Sequence, residues 1–250
     1  MSNAHPISQV KALTFDVFGT VVDWRKSIAR EIKSVGVAKG FILDWDGFAD
    51  EWRAGYGPSM NKVRTGEIEW TNIDTLHRMI LDRLLETYNI SSLSESEKQH
   101  LNKAWHRLDP WSDSVEGLTY LKENYIISSL SNGNVALLVN MAKYGRLPWD
   151  TVLSAELVRH YKPDRETYLS TSEFFGLPIE EVMMVAAHKN DLKSARSTGM
   201  RTAYIPRPYE HGLDVEVDQE PEEYIDIIAD DFIDLSKKLT EARETGSIPE

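Results

Sequence analysis

The sequence predicts an α/β protein, a doubly wound parallel sheet whose first strand is followed by an inserted helical cap. Three observations carry this. Short apolar runs alternate with helical patterns after Pro110, as parallel strands joined by helical crossovers do. From Trp24 to about Leu108 the chain reads as helical throughout. Four strand ends carry polar clusters, at the edge where open parallel sheets bind ligands.

The first strand is the apolar run Val10 to Phe15, closed by Asp16 and followed by the turn Gly19-Thr20. Such a strand delivers a carboxylate to the carboxyl edge of a sheet. Ile28, Ile32 and Val35 then lie at helical spacing, with Gly36 read as the stop. Trp45, Phe48, Ala49, Trp52 and Tyr56 form a second stripe, and Ile73, Leu76, Ile80 and Leu84 a third. Ser94-Glu95-Ser96-Glu97 has the form of a capping box and starts a fourth helix through Leu101 and Trp105. These stripes read as core packing rather than cofactor boxes. Further strands are expected at Tyr125 to Ser129, Thr151 to Ser154, Val182 to Ala187 and Thr202 to Ile205. The acidic stretch Asp214 to Glu223 reads as a solvated loop and the tail after about Thr240 as frayed. Residues 1–22 and 109–250 are thus assigned to the core and 23–108 to the cap.

With 250 residues, 41% hydrophobic and 10% aromatic, the chain can bury a core and carry an insertion. A formal net charge of -12 argues against nucleic acid as a partner. It leaves room for a small anion, since one local Arg or Lys outweighs distant, screened charge. The absence of cysteine excludes disulfides, thiolate metal sites and cysteine catalysis, and fits a reducing compartment. No signal core and no run near the roughly 18 apolar residues of a span is found. A cytoplasmic protein with no membrane partner is expected. No Gly-x-Ser-x-Gly elbow occurs, and the histidines lack zinc-ligand spacing.

The four polar strand ends are Asp16, Ser131-Asn132-Gly133, Lys162-Pro163-Asp164 and His188-Lys189-Asn190-Asp191. Each alone has an ordinary structural explanation, as helix cap, turn or surface residue. Their order, each at a strand end, is what points to a site. This order resembles the haloacid dehalogenase superfamily over nearly the whole chain. Phe15-Asp16-Val17-Phe18-Gly19-Thr20 is most similar to the first motif of the type II (L-2-)haloacid dehalogenases. Val182 to His188 and Arg201-Thr202-Ala203-Tyr204-Ile205-Pro206-Arg207-Pro208 also look typical of that branch.

Two departures from the phosphatase members of the superfamily have a physical reading. Phosphate-ester cleavage expels a poor alkoxide, so those enzymes place an acid two residues after the nucleophile; here that residue is Phe18. They also hold Mg²⁺ with acids of the last motif. The residue five before Asp191 is here Ala186. A halide leaves without protonation and without Mg²⁺, so both departures point to carbon–halogen chemistry, with no cofactor and no metal.

The resemblance implies hydrolysis of a short 2-haloalkanoic acid through an ester on Asp16. It further implies that Lys162 keeps Asp16 ionised, Thr20 orients it, and Asp191 activates or positions water. Amides after Asp16, at Val17 and Phe18, would hold the substrate carboxylate with Ser131. Arg53 and Asn132 would receive the halide, and Tyr168 would stand near the site. His188 replaces an Asn common in relatives; it would act either as a donor to a small halide such as fluoride or as a base for water. A homodimer is also implied. The alternatives are a Mg-dependent phosphatase of the same fold, a halocarboxylate-binding protein without turnover, and an interaction module built on the tryptophan-rich cap.

Overall fold

The computed structural model describes residues 6–212, 215, 218 and 220–246. Strand β1 (Ala12–Phe15) is fully buried and is followed by the short β2 (Val22–Asp23). Five helices come next: α1 (Trp24–Lys39), α2 (Trp45–Ala54), α3 (Tyr56–Arg64), α4 (Ile73–Thr87) and α5 (Glu95–Asn102). A second short strand, β3 (Asp109–Pro110), pairs antiparallel with β2 and brings the chain back beside its departure point. The alternating half then runs α6 (Ser114–Lys122), β4 (Ile126–Ser131), α7 (Val135–Gly145), β5 (Thr151–Ser154), α8 (Ala155–Val158) and α9 (Arg165–Phe175). It closes with β6 (Val182–Ala186), α10 (Lys189–Ser197), β7 (Arg201–Tyr204), β8 (Ile227–Ile228) and α11 (Phe232–Thr245).

The main sheet is parallel, in the order β5-β4-β1-β6-β7-β8. Strand β1 lies between β4 and β6, with Phe15 opposite both Ser129 and Val185. The segments just past those strands, at Asp16, Ser131-Asn132 and Ala187-His188, are therefore neighbours. Alternation of side chains across the pleat divides β6 between two cores. Met183 and Val185 join the larger cluster, with Phe15, Phe232 and the cap tryptophans. Val182, Met184 and Ala186 join a smaller one with Tyr168 and Leu192 on the opposite face. The expected doubly wound sheet with a helical cap is what is observed.

Four local expectations need correction. Gly36 does not end its helix; α1 continues to Lys39 and stops at Gly40, whose φ is 77°. Gly36 is buried because a Cβ there would lie 2.4 Å from the Trp45 ring. The stripe Trp45 to Tyr56 is broken at Gly55, where a Cβ would meet Ile80 at 2.7 Å. The capping box at Ser94 forms, but α5 ends at Asn102 and a 3₁₀ turn (Lys103–His106) carries Trp105. The tail is helical to Thr245, because Asp231 caps α11 and Leu235, Leu239 and Ala242 are buried. Of the acidic stretch, Asp214, Glu216, Val217 and Gln219 lie outside the described residues; Asp218 is exposed and pairs with Lys189 at 2.7 Å. Among the described residues, no helix is long and apolar enough to cross a membrane.

Candidate active site

Asp16 lies one residue past β1, its amide donating to Val185 O at 3.0 Å. The chain then turns through Gly19, with φ of 84°, a left-handed conformation suited to glycine. The turn carries the Thr20 hydroxyl back to donate to Asp16 Oδ2 at 2.9 Å, while the same hydroxyl accepts from the Ala187 amide at 2.9 Å. Lys162 Nζ donates to Asp16 Oδ1 at 3.0 Å and to Asp191 Oδ2 at 2.6 Å. The Lys162 backbone is held in turn by Asn132 Oδ1, which accepts its amide at 2.7 Å. Asp191, in the first turn of α10, also accepts the Tyr168 hydroxyl at 2.6 Å.

Burial alone would favour a neutral Asp16, but the Lys162 charge and the His188 hydrogen bond outweigh it and hold the carboxyl well below the usual carboxylate range. For Lys162, burial disfavours the charged form and the two carboxylates more than reverse that, so it stays an ammonium. Asp16 is thus ionised although buried.

His188 adds what the residue pattern did not foretell. Its Nδ1 lies 3.0 Å from Asp16 Oδ2, and its Nε2 lies 3.0 Å and 3.1 Å from the Glu210 carboxylate oxygens. Glu210 is buried and also accepts the Trp24 indole N–H at 3.0 Å. Gly19 makes room for it: a Cβ at that position would lie 2.0 Å from Glu210 Oε1. Three anions (Asp16, Asp191, Glu210) are thereby interleaved with two cations, Lys162 and an imidazolium. Both ring nitrogens are engaged, so the expected halide-donor role of His188 is not available without breaking a bond to a carboxylate.

One cavity of about 220 Å³ collects most of the expected residues: Asp16, Phe18, Arg53, Asn132, Lys162, Tyr168, His188 and Asp191 line it. Arg53 comes from α2 and lies over the Tyr56 ring, 4.5 Å from its centroid. No ion-pair partner for its guanidinium is found among the described residues. Phe18 packs edge-on against Tyr56 and Trp105, joining the first motif to the cap. Thr20 stands behind Asp16, outside the wall. Val17 and Ser131 are not among the lining side chains: Val17 is packed in the core, and the buried Ser131 hydroxyl accepts the Gly133 amide at 3.2 Å. Tyr56, Pro163, Asn190 and Ser194 also line the cavity. Nothing in the residue pattern marks Glu210, which lies past β7 and reaches His188 only through the fold.

Residues 10–199 match the family model described as haloacid dehalogenase-like hydrolase. The chain belongs to the haloacid dehalogenase-like hydrolases. Among solved members, the defluorinating L-2-haloacid dehalogenase Rha0230 is 45% identical with a TM-score of 0.90, covering 92% of this chain and 95% of that one. The L-2-haloacid dehalogenase PA0810 is 41% identical with a TM-score of 0.87, covering 92% and 99%. A curated member, (S)-2-haloacid dehalogenase 4A of Burkholderia cepacia, is 28% identical over 80% of this chain and 85% of its own length. In this haloacid dehalogenase-like hydrolase the carboxylate after β1 and the cap arginine face the same small cavity.

Proposed function

We propose that the protein is a hydrolytic dehalogenase of short 2-haloalkanoic acids, acting through an ester on Asp16. The observation that carries this reading is a carboxylate kept ionised at one wall of a small cavity, with the Arg53 guanidinium, which has no ion-pair partner among the described residues, at another. A carboxylate displaces halide from carbon without help from an acid. Phe18, where a phosphatase would need that acid, has a side chain buried among aromatic rings that can donate no proton. The relatives named above as 2-haloacid dehalogenases support the same chemistry.

In the first step an oxygen of Asp16 attacks the halogen-bearing carbon and halide departs toward Arg53 and Asn132. The amides of Val17 and Phe18 donate to no acceptor among the described residues, which suits them to the substrate carboxylate; Ser131 contributes by shaping the neighbouring turn. In the second step water adds to the Asp16 carbonyl carbon. Asp191, fixed by Lys162 and Tyr168, takes a water proton. The Cγ–O bond to the substrate breaks, and the 2-hydroxy acid leaves with an oxygen that began on Asp16.

Single-turnover reaction with chloroacetate in ¹⁸O water tests the route. Label is expected in Asp16 rather than in the first glycolate released, and Asp16→Asn should release no chloride. Direct entry of label into first-turnover product would rule the ester out. Release of phosphate from aryl phosphates with Mg²⁺, and no chloride from chloroacetate, would favour the phosphatase alternative.

A further inference from the structure

We propose that His188 is the oxyanion donor for the hydrolytic half of this reaction, and that Glu210 is the residue that positions it. The proposal rests on the ester mechanism above. It follows from counting donors and acceptors. A carboxylate oxygen offers about two lone-pair positions. Asp16 Oδ2 uses both, for the Thr20 hydroxyl at 2.9 Å and His188 Nδ1 at 3.0 Å. Asp16 Oδ1 accepts only from Lys162 among the described residues. Oδ1 therefore keeps a free pair and is the attacking oxygen, and Oδ2 becomes the carbonyl oxygen of the ester.

When water adds to Cγ, the carbonyl electron pair moves onto Oδ2, where two donors are already in place. Donors fixed before charge develops stabilise an oxyanion without reorganisation. The water proton passes to Asp191 and then to Oδ1 as the Cγ–Oδ1 bond breaks. The second proton, left on the new Asp16 carboxyl, goes to solvent.

The imidazole cannot serve as base in this arrangement. Its two nitrogens each face a carboxylate, Asp16 and Glu210, and a carboxylate only accepts. Both nitrogens must then carry protons. Glu210 is itself locked by Trp24 Nε1 and by the absence of a side chain at Gly19. Asp16 loses its charge on alkylation, but Glu210 does not, so the ring stays a donor through the second step. The charged and titratable groups around the ring are Asp16, Arg53, Lys162 and Asp191 in the cavity on one side, and Lys189, Lys193, Arg207, Glu210, His211, Asp218 and Glu222 in the cavity on the other. Burial lowers the His188 pKa, but the bonds to Asp16 and Glu210 raise it more, to about 10.

Rapid-quench kinetics with chloroacetate, with intact-protein mass spectrometry of the Asp16 adduct, separates the two steps. His188→Ala should slow ester hydrolysis about 10²-fold, far more than it slows the chloride burst, so that ester accumulates. His188→Asn, whose amide can donate in place of Nδ1, should recover part of that loss. Because Asp16 is uncharged in the ester, hydrolysis in the wild type should fall on the alkaline side below the value of about 10 that His188 has beside the ionised Asp16, and Glu210→Gln should move that fall to lower pH. Burst and hydrolysis slowed equally by His188→Ala, or hydrolysis lost on the acid side through a group that His188→Ala removes, would overturn the assignment. A wild type that releases no chloride and forms no ester overturns the dehalogenase reading itself.

Discussion

Lys162 holds two carboxylates at once, and most of the site's electrostatics passes through its ammonium. Asp16 and Asp191 are both within 3.0 Å of Nζ. Removing one partner of a buried ion cluster typically costs about 3–5 kcal/mol, because the remaining charge is left uncompensated. Lys162→Met should therefore lower stability by that order and cut kcat about 10²–10⁴-fold. It also has a signature in pH. With the cation gone, Asp16 loses the largest influence that lowers its pKa and only His188 is left to oppose burial, so the acid limb of the rate profile should move to higher pH. A pH–rate profile with an unchanged acid limb would contradict this account of the nucleophile.

At the scale of elements, helices here are shaped by what they must accommodate as much as by their own propensities. Gly36 in the interior of α1 shows the conflict. Helix propensity favours alanine over glycine by about 1 kcal/mol, yet a Cβ there would sit 2.4 Å from Cη2 of Trp45, a ring held by α2 and Phe41. Overpacking of this kind costs roughly 1–3 kcal/mol, so the clash should win. Gly36→Ala is expected to lower the denaturation midpoint in urea, with an unchanged slope. A stabilised variant would mean that α1 and α2 are free to separate.

The whole molecule should be most stable near pH 6.5, for reasons that differ on the two sides. Burial opposes ionisation of Asp16, Asp74, Asp113 and Glu210, but cationic and hydrogen-bonding partners win and lower each pKa. Their stabilisation is present above the ordinary carboxylate range and lost below it. His188, raised to about 10, stabilises fully below its ordinary value of about 6.5 and ceases to as pH climbs through 10. His77 works in the opposite sense. It is fully buried in α4, stacked 4.2 Å from Trp105, with neither ring nitrogen hydrogen-bonded among the described residues, and burial lowers its pKa to about 3. The unfolded chain takes up that proton first, so stability falls as pH drops from about 6.5 toward 3. Between roughly pH 6.5 and 4.5 carboxylates change little, which isolates this residue. Thermal unfolding of His77→Phe should show a flatter profile than wild type across that window; parallel curves would refute the assignment.

The order and chemistry of the strand ends were legible in the residues alone. An apolar run closed by Asp16, the Gly19-Thr20 turn and Asp191 can be read locally, because strands declare themselves by composition and ligands gather at their carboxyl ends; Lys162, expected at a strand end, instead lies between α8 and α9. The helical stripes of the cap were equally plain, since periodicity is a property of neighbours in sequence. Glu210 was not legible in this way. It reaches His188 across 22 positions and Trp24 across 186, and its place depends on a missing Cβ at Gly19. Nor could a residue pattern say that His188 has both nitrogens bound, that Gly36 is a packing site rather than a stop, or that Ser131 turns inward to Gly133. Sequence determines which groups are available and in what local conformation. Which lone pair meets which proton is decided only when distant segments are packed at fixed distances, and at this site that choice separates a base from an oxyanion donor.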